Sequence, residues 1–214
     1  MAEILSTECV TLRHALAYWT DLICNVYVGL DCETDRRDDF RAQLTQFPLP
    51  ALKLSEVRGS PQHVKRSPRR LSSAPSDDFL INLQLAGRSK VIQDGRVADI
   101  GPGDMAMYDA SRPYLLAMDD DFDMVVFQLP RDLLRQRLVG PEHLTARTVQ
   151  GSTGFGRAAS RFLMTAPAAV ETGDLGGALI EGHVLDLLAT LFGALLNTIT
   201  RNFPESARLV AAKD

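Results

Sequence analysis

FLINLQLAGRSKVIQDGRVADIGPGDMAMYDASRPYLLAMDDDFDMVVFQLPR, residues 79–131, is a ladder of short apolar runs separated by Gly, Pro and Asp turns. The runs at 79–86, 88–93, 104–108, 113–117 and 122–129 have the length and composition of strands. Asp94-Gly95 supplies the positive φ that a two-residue hairpin needs, and Gly101-Pro102-Gly103-Asp104 makes a stiff reversal before the next strand. Pro113 lacks an N–H for a ladder and fits the start of an edge strand. Many short strands at regular spacing close into a sandwich or a barrel.

Further candidate strands lie upstream at 40–47, 51–59 and 62–67. The polar, proline-broken segment 65–78 reads as an exposed connection with a short strand inside it. Leu12, Ala15, Leu16, Trp19, Ile23, Val26 and Tyr27 recur at three- and four-residue steps, which predicts a helix over 12–26. The charged run 31–40 reads as a solvated loop. After Leu129 the pattern turns helical and no further strand is evident. A helix opens at Pro130, a second covers 155–169 with Pro167 weakening its last turn, and a third carries Leu175 to Ile199 with Asp174 placed to cap it. The expectation is one α+β unit. Residues 1–39 form an amino-terminal helix and acidic loop, 40–129 a barrel, 130–200 packing helices and 201–214 a tail or linker.

Composition excludes several classes of function. A net charge of −4 over 214 residues argues against gripping nucleic acid through a basic face. Cys9, Cys24 and Cys32 are odd in number and lack CxxC spacing, so neither a disulfide framework nor a zinc site is suggested and a reducing cytoplasm fits. The first residues carry Glu3 and Glu8 where a secretion signal has basic residues, and the apolar run 187–196 is too short to span a bilayer, so no membrane role is expected. Of the four histidines only His63 lies in the β region, which rules out a three-histidine barrel centre, and no metal or cofactor is expected. There is no GxSxG elbow, and GSTGFG at 151–156 lacks the Lys-Ser/Thr ending of a phosphate loop. Asp119, Asp120, Asp121 and Asp123 read as a solvated hairpin tip and not a calcium loop. Lys65, Arg66, Arg69 and Arg70 form either an exposed loop face or a cationic lip for an anionic ligand. No catalytic residue is nominated.

Five motifs stand in a recognisable order: YW at 18–19, QDGR at 93–96, GPGD at 101–104, SRPY at 111–114 and FQLPRDLL at 127–134. Together they resemble the amino-terminal regulatory domain of AraC/XylS-type bacterial transcription regulators, in detail over about 12–138 and more loosely to Thr200. The resemblance implies a cupin-like β-barrel (a double-stranded β-helix) with helices at its side. It also implies the sensing of a small effector or dimerisation, and control of an attached pair of helix-turn-helix motifs. The tail FPESARLVAAKD holds no such motif, so any DNA contact is expected through a carboxy-terminal domain absent from these 214 residues, whether the chain is a fragment or naturally short.

Strand alternation then nominates ligand-binding positions. In 79–86 the face Phe79, Ile81, Leu83 and Leu85 is uniformly apolar and belongs under the helices. That leaves Asn82 and Gln84 toward a cavity, with Gln128 from the last strand and Arg66 or His63 from the opposite wall. Tyr108 and Tyr114 either line its mouth or fill the core. On the last helix, Val184, Leu188, Leu191 and Leu195 form a seven-residue repeat with two readings: a homodimer surface, or burial against the preceding helices. The competing functional class is a metal-independent cupin enzyme of the sugar isomerase or epimerase type. It would need His63 to meet Asp104 or Tyr108 as an acid–base pair.

Overall fold

The computed structural model describes residues 2–152, 154–173 and 176–202. The elements run β1 (Glu3–Ser6), α1 (Leu12–Val26), β2 (Asp31–Glu33), β3 (Ala42–Phe47), β4 (Lys53–Gly59), β5 (Gln62–Arg66) and α2 (Pro68–Ser73). They continue with β6 (Phe79–Ala86), β7 (Ser89–Gln93), β8 (Arg96–Ile100), β9 (Met105–Asp109), β10 (Tyr114–Met118) and β11 (Phe122–Leu129). The remainder is α3 (Arg131–Arg135), β12 (Thr148–Val149), α4 (Gly154–Thr172) and α5 (Gly177–Asn202). The strands form a seven-stranded sheet, ordered β1-β3-β4-β11-β6-β9-β12, and a five-stranded sheet, ordered β2-β5-β10-β7-β8. The architecture is α+β, a cupin-like barrel with a helix before it and helices after it.

Each face of the large sheet has its own apolar partner. Along β6, Leu80 and Asn82 point between the sheets, whereas Phe79, Ile81 and Leu83 point outward into a second core with Leu134, Leu163, Ile180, Val184 and Leu188 of the later helices. The same parity runs through β11, where Met124 and Val126 face the barrel while Val125 and Phe127 face the helices. A strand covered on both sides is apolar throughout, which is why all eight residues of 122–129 except Asp123 are buried. Ala15, Trp19, Leu22 and Ile23 of α1 complete the inner core.

The turns follow their chemistry. Asp94 and Gly95 have φ of 52° and 71°, and Gly103 of the second reversal has φ 89°. Several local expectations are corrected. Asp31–Glu33 is an edge strand paired with β5, and not loop, because Cys32 sits opposite Val64 over the inner core. Residues 68–73 are a short helix, started by Pro68 at its first turn, where the connection was expected to hold a strand. Strands β1, β8 and β12 arise where none was read; β12 is a two-residue addition to the edge of β9, below the length that shows periodicity. Pro167 lies inside α4 without ending it. Asp174 and Leu175, offered as cap and first apolar residue of the last helix, lie outside the described residues, as does the tail from 203.

The helix α5 is long and apolar enough to cross a membrane by composition alone, but Ile180, Val184, Leu188 and Phe192 are each at most 1% exposed against the sheet. Glu181 anchors its beginning by accepting the amides of Ala51 and Leu52 at 2.7 and 3.0 Å.

Candidate effector cavity

Between the sheets and α1 lies a cavity of about 50 Å³. Its wall is built from Trp19 and Ile23 of α1 and Tyr27 at its C-cap, Gln62 and Val64 of β5, Leu80 and Asn82 of β6, Tyr108 and Tyr114 of β9 and β10, and Met124 and Val126 of β11. The polar groups in this wall are neutral, and all but the Tyr114 hydroxyl are hydrogen-bonded to a neighbour. The Trp19 indole donates to Gln62 Oε1 at 2.8 Å, and the Cys32 thiol donates to the same oxygen at 3.0 Å. Tyr108 donates to Asn82 Oδ1 at 2.9 Å, and its ring lies 4.7 Å from that of Tyr114 in a tilted pair. The Tyr27 hydroxyl meets Ser55 Oγ. Burial raises the Tyr108 and Tyr114 phenols above their ordinary range, the latter against an opposing pull from Arg66, so both stay protonated.

Of the six side chains nominated from sequence, Asn82 and Tyr108 line this cavity. Gln84 is fully buried but bonds Ser89 Oγ and the Ala86 carbonyl, holding the β6–β7 hairpin. Gln128 donates to Asp78 at 2.5 Å, away from the cavity wall. Arg66 is 0% exposed, yet its three nitrogens donate to the carbonyls of Ala110, Gly29 and Ala74, so it is a strut between loops and not a cationic lip. His63 points to the outside, where Nε2 sits 3.2 Å from Asp119. The alternation of β5 explains both placements: Gln62, Val64 and Arg66 face in, and His63 and Lys65 face out. Gln62 was therefore the inward polar residue that sequence reasoning missed. Trp19, Ile23 and Tyr27 were missed as well, although they follow one apolar stripe along the first helix and its C-cap.

Of the two readings of the last-helix stripe, the one its side chains take is burial within the chain, in place of an open dimer surface. Val184, Leu188 and Leu191 are buried in the core beneath the large sheet, and Leu195 is half-buried against it, because the outer sheet face needs an apolar cover. The suggested acid–base pair does not form. Asp104 is turned to the amides of Gly101 and Gly151, Tyr108 to Asn82, and His63 to Asp119 on the outer surface. Among the described residues no three His, Cys, Asp or Glu side chains gather as a metal set.

The motif residues have a different task. The Gln93 amide pairs with both the carbonyl and the N–H of Asp109 at 2.9 Å each. The Asp109 carboxylate accepts from the Ser111 amide and hydroxyl at 2.8 and 2.6 Å, from Arg131 at 2.7 Å and from Arg112 at 3.2 Å. Asp94 receives Arg112 and Arg96, and Arg96 reaches on to Thr145. Arg131 also lies over the Phe79 ring, 4.4 Å from its centroid. QDGR, SRPY and the PRD of FQLPRDLL thus converge on one polar strap that ties the barrel to α3.

Residues 19–193 match the family model described as AraC-binding-like domain. The chain is 38% identical over 134 residues to the "uncharacterized protein in nit 5'region" of Bacillus sp. (strain OxB-1), covering 63% of this chain and 52% of that one. It is 29% identical over 189 residues to the transcriptional activator NphR of Rhodococcus sp., covering 85% of this chain and 53% of that one. It therefore spans about half the length of these curated relatives. Among solved structures, the AraC-like transcriptional activator CuxR superposes with a TM-score of 0.76 at 18% identity, covering 90% of this chain and 70% of that one, a likeness of fold.

Proposed function

Since the chain belongs to the AraC-binding-like domain family, we propose that it is the sensing and dimerisation domain of an AraC-type transcription regulator in the cytoplasm. A small organic effector enters the cavity beside Trp19, Asn82 and Tyr108. The domain sets the arrangement of attached helix-turn-helix DNA-binding units in a homodimer. With a net charge of −4, these 214 residues are themselves poorly matched to a polyanion.

The observation that carries this reading is the two-sided sheet. Val126 touches the cavity and its neighbour Phe127 touches the helical core, so a displacement of β11 by an occupant is felt directly by α3, α4 and α5. A close-packed interior transmits such a shift instead of absorbing it. An occupant that favours one of two sheet–helix arrangements biases the population of that arrangement.

A screen of small organic compounds by thermal shift, with size measured by light scattering, tests the proposal. A dimer stabilised by at least one compound is expected. A strict monomer that no compound stabilises would refute both roles. The enzymatic alternative is disfavoured by the family and by the separate engagement of His63 and Asp104.

A further inference from the structure

The free hydrogen-bonding groups of the cavity lean toward donors: two amide NH2 ends and a phenol that can donate or accept. An indole N–H only donates, so the bond from Trp19 fixes the Gln62 amide with its oxygen occupied and its NH2 end left for another acceptor. Asn82 is arranged in the same sense, since its oxygen accepts from Tyr108 and its NH2 end is the remaining one. The Tyr114 hydroxyl has no hydrogen-bond partner among the described residues, although its ring is held against Tyr108. Asn82, Gln62 and Tyr114 are 1, 3 and 4% exposed, so little of each side chain is open to bulk solvent. No Asp, Glu, Lys, Arg or His side chain belongs to the described lining. Arg66 lies opposite Tyr114 across the β5–β10 ladder but is already turned to three carbonyls.

Resting on the reading of the barrel as a sensing cavity, we propose that its effector is a small, uncharged, mainly apolar molecule carrying a hydrogen-bond acceptor such as a ketone or aldehyde oxygen, held by Asn82 Nδ2 and Tyr114 Oη. A carboxylate is disfavoured because no cation belongs to the lining, and the nearby Arg66 has its N–H donors committed to three carbonyls and cannot pair with it directly. A sugar is disfavoured because each of its hydroxyls brings a donor as well as an acceptor, and the wall is already rich in donors. Size sets the remaining limit. About 50 Å³ is well below the roughly 300 Å³ of an ordinary small-molecule pocket, so a ring-sized occupant displaces part of the wall. Met118 and Met124, unbranched and pliable, are the side chains best able to yield.

Trp19 is the one tryptophan of the chain and forms part of the wall, so its emission reports entry. Butanone and cyclohexanone are titrated at pH 7 against butanoate, cyclohexanecarboxylate and glucose, with Trp19 emission and melting temperature read together. The ketones are expected to shift both, and the anions and glucose neither. Tyr114→Phe is expected to melt like the parent without ligand, since it breaks no protein hydrogen bond, and to weaken ketone binding about five- to tenfold, the worth of one hydrogen bond. Asn82→Ala supplies a second variant with the same expected direction. A response to the carboxylates or glucose in place of the ketones would overturn the ligand class while leaving the sensing role intact. Ketone binding unchanged in both variants would overturn the assigned contacts. Silence toward every compound would overturn the sensing cavity as well.

Discussion

Asp109 keeps its charge in a place where water does not reach it. Burial raises its carboxyl pKa, but the Ser111 hydroxyl and amide together with Arg131 more than reverse this and leave it below the ordinary value. A depressed carboxyl contributes stability that is present above the unfolded pKa, about 3.9, and lost as pH falls through the folded value. Asp109→Asn is expected to lower stability at pH 7 by roughly 2–4 kcal/mol, because Arg131 and Arg112 lose their partner. Urea titrations at pH 7 and pH 3 check this: the gap between parent and variant narrows at the lower pH, which lies below the unfolded pKa and so in the range where this contribution is being lost. Cys32 offers a second residue-scale test. Burial raises its thiol pKa to about 12, against a smaller lowering by Thr20, whereas Cys9 is exposed. A thiol reagent at pH 8 is expected to modify Cys9 first and Cys32 only slowly, read by peptide mass mapping over time.

Elements are held in place by close approach as much as by apolar area. A side chain at Gly151 would set its Cβ 1.7 Å from the Gly103 carbonyl oxygen, so the GPGD reversal and the strand end after β12 can touch only without it. Gly151→Ala is expected to cost at least about 1–3 kcal/mol, measured as a lowered melting temperature. The helix α5 makes a sharper distinction. Leu188 is 0% exposed within the chain. Leu188→Ala is therefore expected to destabilise the fold by about 2–5 kcal/mol, seen in urea unfolding. A change in association with no loss of stability would restore the dimer surface that the seven-residue repeat suggested.

At the scale of the whole molecule, the two cores share one sheet, and that sheet lies between the cavity and α5. Occupancy of the cavity is expected to slow amide exchange in β6 and β11 and also in α5, which has no residue in the cavity wall. Hydrogen-exchange mass spectrometry with and without a stabilising compound checks this. Protection confined to the wall would sever the link to the helices.

Residues 79–131 were legible as strands because alternation and turn chemistry are local, and the Asp94-Gly95 turn needs no distant partner to take its shape. The outward apolar face of Phe79, Ile81 and Leu83 was legible for the same reason. The sequence alone thus determined strand order along the chain, the hairpin turns, the helices at either end and the resemblance to a regulator family. Tertiary structure decided which polar side chains share a space. Gln62 and not His63 meets Trp19 because the parity of a five-residue strand is set by its neighbours, β2 and β10. Arg66 became a strut because three loop carbonyls, far apart in sequence, come to it. Burial and hydrogen-bond pairing arise between distant segments, and a linear pattern holds only the near ones.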